Sequence, residues 1–296
     1  MSAEAIAFVN QTLVPCGLML IMFSLGLTLA LRDFAAIVTG GRAVVAGLAI
    51  HLLILPSLGL GIATLFRLPP ELALGLFIVS ICPAGTTSNA LTFVGRGNVA
   101  LAVVLTVLTS VVTVFTIPLL LGWAVQWFLG TGDARVPHLD ILSTMGQLAR
   151  ITLLPITAGM IVNRLTPALA AQIARRLRPT ALIVLIAVIG FSVAVSLDMV
   201  LQSLIAATPA IYALNACAMG VGLLAGRVLG LGSRDRMTLA IETGVQNATL
   251  ALFLTLTVLG SLPLAVTQNI YGVVMLLNAT LLIRWFRARI ATEAAT

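Results

Sequence analysis

Residues 241–250 of the chain are Ile-Glu-Thr-Gly-Val-Gln-Asn-Ala-Thr-Leu, and they place a carboxylate in the middle of a long apolar run. A charged side chain at the centre of a membrane-length segment costs roughly 2.5 to 3.5 kcal/mol, so Glu242 needs a compensating partner. A bound cation or a proton would provide it. Gly244, Gln246 and Asn247 suit a helix that is interrupted at a cavity, where loosened carbonyls coordinate cations. The stretch therefore predicts one half of a transport site.

The composition of the whole chain is that of a membrane protein. Of its 296 residues, 60% are hydrophobic and only 8% are charged, and the mean hydropathy is +1.16. These values lie far outside the range of a soluble domain, and they predict an all-α polytopic membrane protein. The 16 basic residues are all arginines that fall between apolar runs, a pattern that indicates topology rather than a nucleic-acid surface.

Windows of about 20 apolar residues, the length that a hydrocarbon layer of about 30 Å requires, predict nine transmembrane segments. They lie near residues 12–31, 43–66, 71–94, 98–121, 141–163, 180–200, 204–226, 237–260 and 265–284.

The arginines predict the orientation of these segments. With the N-terminus outside, thirteen arginines fall on the inner side, Arg67 and Arg135 fall outside, and Arg150 lies within or beside the fifth segment. Because basic residues accumulate in cytoplasmic loops, we expect the N-terminus outside and the C-terminus inside. The absence of lysine and the abundance of Ala, Leu and Arg favour a bacterial gene and therefore the inner membrane.

A second interruption is predicted in the third segment. Residues 82–92 are Cys-Pro-Ala-Gly-Thr-Thr-Ser-Asn-Ala-Leu-Thr, so that Pro83 and Gly85 stand before a run of polar side chains. Pro removes a backbone donor and Gly tolerates open dihedral angles, which makes a continuous helix unfavourable. Five segments separate the start of the third segment from the start of the eighth, so the broken helices run antiparallel. Paired breaks of this kind are typical of an inverted-repeat transporter with its site near the midplane.

Two other classes of protein fit the sequence less well. A channel would have polar residues repeated along several segments, whereas polarity here is concentrated at the two breaks. An intramembrane enzyme would need a nucleophile with a base, a second acid or a metal cluster, and Ser88 has no evident His or Asp partner. The chain is therefore interpreted as a carrier and not an enzyme.

At residues 82–89, 93–101 and 241–247 the chain resembles the bile acid:sodium symporter family, with support from Met-Phe-Ser-Leu-Gly-Leu-Thr-Leu at residues 22–29. The resemblance covers nearly the whole chain. It implies two inverted halves with two crossed broken helices, and the chain resembles a nine-span member that lacks the first of ten spans. The family also implies a core domain, here 43–129 and 204–286, and a panel domain, here 12–31 and 141–200, that moves against it within one transporter unit, 1–296.

The resemblance implies one or two sodium ions at the crossing. The first site would use Ser88, Asn89, Thr106 and Glu242. The second would use Glu242, Gln246 and the main-chain carbonyls of Thr243 and Val245.

Two positions depart from the family's pattern. Ala102 stands where the first site has a serine hydroxyl, and His51 stands where the second site has a glutamine. An imidazole is a poor sodium ligand but is able to carry a proton. A proton-coupled carrier, or an uncoupled facilitator of the same fold, therefore remains an alternative to sodium symport.

The expected substrate is a small organic anion, because the N-termini of two half-helices would present N–H donors and positive dipole ends to a carboxylate. The expected substrate contacts are Thr86, Thr87, Asn247, Ala248, Tyr271 and Asn278. The sequence leaves open whether the anion resembles a bile acid, a small organic acid or a sulfated compound. The expected partners are this substrate and the lipid bilayer, and no obligate protein partner or nucleic acid is indicated.

Overall fold

The computed structural model describes residues 7–30, 41–130 and 139–293, and within these ranges the chain is helical and has no strand. Arg32, Arg135 and the last residue of the first predicted segment lie outside the described residues. In chain order the helices are α1 (Val9–Gly26), α2 (Gly41–Leu65), α3 (Pro70–Ile81), α4 (Thr86–Val94), α5 (Val99–Leu129), α6 (Ile141–Leu165), α7 (Pro167–Val195), α8 (Leu197–Val228), α9 (Ser233–Gly244), α10 (Ala248–Val258) and α11 (Leu262–Glu293).

Six of these helices, α1, α2, α5, α6, α8 and α11, are long and apolar enough to cross a membrane. The predicted segments 71–94 and 237–260 are each divided into two shorter helices, α3 with α4 and α9 with α10. The predicted segment 180–200 overlaps the end of α7 and the start of α8, because α7 begins at Pro167 and the chain leaves the helix at Ser196. The all-α membrane class is confirmed, and the count of nine spans stays a prediction.

Three of the long helices contain a π-helical turn immediately before a proline. These turns span Val9–Leu13, Ile50–Ile54 and Ala149–Leu153, and the prolines follow at 15, 56 and 155. A proline lacks an N–H and clashes with the carbonyl four residues earlier, and a widened turn relieves that clash. The proline at 56 therefore determines the local geometry of the helix that carries His51.

The interrupted helices lie at the centre of the bundle. All residues from Met237 to Leu256 are buried, as are those from Leu72 to Gly85. The long helices that surround them expose large apolar side chains, among them Leu53, Phe115 and Ile205. Exposed apolar surface of this kind is what a lipid-facing helix presents. Ser88, Glu242, Gln246 and Asn247 are thus surrounded by protein, whereas Thr86, Thr87 and Asn89 are half-buried.

The loop after α4 fixes the interrupted helices relative to one another at one end of the bundle. The side-chain oxygen of Asn98 accepts a hydrogen bond from the Leu101 N–H at 3.1 Å and so caps α5. The amide nitrogen of Asn98 donates to Asp235 at 2.8 Å, and its main-chain N–H donates to Thr238 Oγ1 at 2.9 Å. Helix α9 is therefore tied to the junction of α4 and α5.

Candidate functional site

The two helix interruptions meet each other directly. The Gly85 N–H donates to the Val245 carbonyl at 3.0 Å, and the Asn247 N–H donates to the Pro83 carbonyl at 2.9 Å. Ala84 and Gln246 thereby form an isolated antiparallel bridge. A methyl group on Gly85 would lie 2.9 Å from the Gln246 carbonyl oxygen, so the close approach of the two backbones requires glycine there. The crossing is thus held by backbone hydrogen bonds between two segments that have left helical geometry.

Glu242 lies in the last turn of α9 beside this crossing, and it is completely buried. One carboxylate oxygen accepts a hydrogen bond from Ser88 Oγ, in the first turn of α4. The other accepts a hydrogen bond from Thr106 Oγ1, on α5, at 3.0 Å. Asn89 Oδ1 lies 3.4 Å from Thr106 Oγ1. The structure therefore brings together the four side chains expected at the first cation site, from three different helices.

The hydroxyl groups around Glu242 have fewer protons than there are oxygen atoms within hydrogen-bonding distance of them. Ser88 Oγ has a single proton, yet it lies 2.7 Å from the Gly85 carbonyl as well as against the carboxylate. Thr106 likewise has one proton for Glu242 and for Asn89. Within the described ranges the carboxylate has no arginine or histidine as an ionic partner. This group of oxygens can accept a cation, because hard oxygen ligands suit an ion such as sodium.

The residues expected at the second cation site follow Glu242 in the chain, at the end of α9 and at the crossing. The Gln246 amide nitrogen donates to the Thr243 carbonyl at 2.7 Å, and the Val245 carbonyl accepts the Gly85 N–H. In the described part of the chain, Gln246 Oε1 is buried without a hydrogen-bond partner. The Thr243 carbonyl, an expected ligand, thus accepts a hydrogen bond from Gln246, whose own side-chain oxygen has no partner among the described residues.

The imidazole of His51 belongs to the same region. Its Nδ1 lies 2.9 Å from the Gly47 carbonyl, so that Nδ1 carries the proton of this contact. The ring also lies against the main-chain carbonyl of Glu242. Its Nε2 is buried with no hydrogen-bond partner among the described residues. Ala102 is completely buried on α5, one turn before Thr106, and offers only a methyl group.

The expected substrate contacts fall into two groups. Thr86 and Thr87 are half-buried in the first turn of α4, and Asn247 caps α10 by accepting the Leu250 N–H at 3.0 Å. Ala248 is the first residue of α10 and is buried. The Asn247 amide nitrogen has no partner among the described residues. Asn247 lines a narrow cleft together with Met22, Pro83, Ser110, Thr113 and Thr152.

Tyr271 and Asn278 lie on α11, away from that cleft. The Tyr271 hydroxyl donates to the Gly244 carbonyl at 2.9 Å. Asn278 donates to the side-chain oxygen of Asn215, on α8, at 2.8 Å. Their expected contact with substrate stays a prediction. Asn215 was not predicted as a site residue, although an amide within an apolar segment indicates a polar partner. In the structure Asn215 is fully buried.

A family model described as the Sodium Bile acid symporter family matches residues 15–203, which is more than half of the chain. The chain belongs to this family. The matched range includes the first helix interruption and ends before Glu242. The family is one of transporters rather than enzymes, in agreement with the interpretation of the sequence.

Curated members of the sodium bile acid symporter family cover a larger part of the chain. A probable sodium/metabolite cotransporter of Arabidopsis thaliana, BASS1, is 29% identical over 83% of this chain and 59% of its own length. The uncharacterized sodium-dependent transporter YocS of Bacillus subtilis is 29% identical over 77% of this chain and 69% of its own length. The human ileal sodium/bile acid cotransporter is 27% identical over 83% of this chain and 69% of its own. The chain therefore spans 59% to 69% of the length of these relatives.

Proposed function

We propose that the chain is a sodium-coupled secondary transporter that moves a small organic anion across the bacterial inner membrane by alternating access. The single observation that carries the proposal is the buried Glu242 carboxylate, which joins Ser88 and Thr106 where two interrupted helices cross. The sodium-dependent relatives and the family description support it.

Sodium is the cation that these ligands favour. A carboxylate inside the membrane must be neutralised, and among the described residues no positive side chain does so. Ser88 and Thr106 each place a hydroxyl oxygen against Glu242, and Asn89 Oδ1 lies 3.4 Å from Thr106 Oγ1. Oxygen atoms are the ligands that hard cations prefer. On this proposal one or two ions bind, the second at Gln246 and the carbonyls of Thr243 and Val245.

The anion would bind beside the cation, at the N-terminal ends of α4 and α10. The first amides of a helix have no partner inside the helix and lie at the positive end of its dipole. Asn247, which lines the cleft, has an amide nitrogen without a hydrogen-bond partner among the described residues, so it supplies a further donor. Because Ser88 lies in the first turn of α4, a cation that orders Ser88 also orders the amides that would meet the anion.

Alternating access requires two groups of helices that move against each other. We propose the core at 43–129 and 204–286 and the panel at 12–31 and 141–200, with nine spans, an inverted repeat, an outer N-terminus and an inner C-terminus. Thr257 donates to the Asn10 carbonyl, and Asn269 donates to Ser192 Oγ at 3.0 Å. The second bond joins the proposed core to the proposed panel, and the first joins the proposed core to the start of α1, whose residues from 12 onward belong to the proposed panel. Both bonds would break when the panel moves.

The test uses purified full-length protein in proteoliposomes. Small organic acids are first screened by thermal shift in NaCl and in KCl, and an acid that stabilises the protein is then used for counterflow. We expect uptake that is saturable and driven by an inward sodium gradient, and that is lost in Glu242→Gln. Uptake that follows a pH gradient, ignores sodium and disappears in His51→Gln would instead favour the proton-coupled alternative, for which the free Nε2 of His51 is the supporting observation.

A further inference from the structure

The Gly244 carbonyl is left without a helical partner by the interruption of α9. In a continuous helix it would accept the N–H of residue 248, but the Ala248 N–H bonds to the Gln246 carbonyl instead, at 2.9 Å. A buried carbonyl without a donor is costly, so a replacement is required. Two side chains provide it. Asn215 donates to Gly244 at 2.7 Å and Tyr271 donates at 2.9 Å.

The hydrogen bonds of this cluster have one consistent direction. The Asn215 amide has two protons, one for the Gly244 carbonyl and one for the Tyr271 oxygen at 3.1 Å. The Tyr271 hydroxyl accepts that bond and gives its own proton to Gly244. Asn278 donates to the remaining oxygen of Asn215, which fixes the orientation of the amide. Asn215 and Tyr271 are both buried, so water does not replace either donor.

Gly244, whose carbonyl is anchored in this way, stands in the chain between Thr243 and Val245, the two residues whose carbonyls are expected to bind the cation. Val245 is extended, with φ of −102° and ψ of 90°, and successive carbonyls of an extended chain point to opposite sides. The Gly244 carbonyl is therefore directed to α8 and α11, while the Val245 carbonyl is directed to Gly85 at the crossing. Holding the Gly244 carbonyl in place therefore also restrains the direction of the Val245 carbonyl. Glu242, two residues before Gly244, lies in the last turn of the helix whose end is held in this way, and it contacts Ser88.

We infer that Asn215, Tyr271 and Asn278 are positioning residues of the cation site and not contacts of the substrate. The inference rests on the proposed function, because it assumes that Glu242 binds sodium. It assigns a role to a cluster that ties both α8 and α11 to the end of α9 through side-chain hydrogen bonds. Sodium affinity is then the property that the cluster controls.

The test is a NaCl titration of the thermal stability of purified protein, with KCl at equal ionic strength as the reference and no substrate present. For Tyr271→Phe we expect the sodium concentration of half-maximal stabilisation to rise by about five- to tenfold, the effect of weakening one buried hydrogen bond. Tyr212→Phe is the matched control, because Tyr212 lies on α8 and is 53% exposed. It should titrate like the wild type.

Two other results would overturn the inference. A melting temperature lowered equally in NaCl and KCl, with an unchanged sodium midpoint, would mean that the cluster only stabilises the fold. An unchanged sodium midpoint with a raised KM for the transported acid at saturating sodium would mean that Tyr271 contacts the substrate. If Tyr271→Phe does not fold, Asn278→Ala removes only the bond that orients Asn215 and is measured in its place. A wild type without any sodium-specific stabilisation would refute the proposed function itself, before any variant is compared.

Discussion

Replacing Glu242 by Gln should abolish the response of the protein to sodium while making the sodium-free protein more stable. The substitution keeps the shape of the side chain and one carbonyl oxygen, and it removes the charge. This carboxylate is completely buried, and among the residues that the structure describes it accepts hydrogen bonds from Ser88 and Thr106 only. Without a cation the charge costs at most roughly 2.5 to 3.5 kcal/mol, since protonation limits the cost. The Glu242→Gln side chain is neutral, so the sodium-free variant does not carry this free-energy cost.

The expected size of the sodium response follows from mass action. Sodium at a hundred times its dissociation constant stabilises the folded protein by about 2.7 kcal/mol. At roughly 2 to 4 °C for each kcal/mol, the melting temperature of the wild type should rise by about 5 to 10 °C when NaCl replaces KCl. For Glu242→Gln the rise should be near zero.

The assay is thermal unfolding of the purified full-length protein in detergent, in NaCl and in KCl of equal concentration. Glu71→Gln is the matched control, because Glu71 is an exposed glutamate in the first turn of α3. It should keep the sodium response of the wild type. If Glu242→Gln retained that response, or if the wild type responded equally to potassium, Glu242 would not be the sodium ligand that we propose.

Three further predictions use the same titration. Gly85→Ala should lower the free energy of unfolding by about 1 to 3 kcal/mol and weaken the sodium response, because its methyl group would meet the Gln246 carbonyl. Gly61→Ala, on α2 with open space around it, should change neither property. Ala102→Ser should lower the sodium midpoint about threefold, because it returns a hydroxyl one turn before Thr106; an unchanged midpoint would show that residue 102 does not face the ion. His51→Gln should also lower the midpoint, by about fivefold, because an amide oxygen replaces the imidazole; a raised midpoint would show that the imidazole supports cation binding.

The helix interruptions could be predicted from local sequence, because their causes are local. Pro83 has no N–H and Gly85 has no side chain, and α3 ends just before them, at Ile81. Gly244 is likewise the last residue of α9. The ends of α7 were not predicted, since apolar windows do not register that Pro167 begins a helix well before the apolar run. The π-helical turns before the prolines at 15, 56 and 155 were missed for a similar reason, because periodicity does not indicate where a proline will widen a turn.

The partners of the site residues depend on contacts between distant parts of the chain. Ser88 and Glu242 are 154 residues apart, and only the family resemblance placed them together in advance. Asn215 contacts Gly244 across 29 residues and Tyr271 across 56, and no spacing rule connects them. A single buried amide in an apolar helix indicates a polar partner without saying which one. The sequence therefore predicted substrate contacts at Tyr271 and Asn278 without indicating that Tyr271 donates to Gly244 and that Asn278 donates to Asn215.

The proposed coupling of ion and anion follows from where the broken helices place their ends. Ser88, in the first turn of α4, binds Glu242 near the end of α9, so a cation at Glu242 draws the start of one half-helix toward the end of another. The amides that would receive the anion lie in that same first turn of α4 and at the start of α10. A cation that fixes the crossing thus prepares the anion site, and an anion that occupies those amides holds Ser88 against the cation. Because coupling between two binding sites is reciprocal, each ligand should tighten the binding of the other by the same factor.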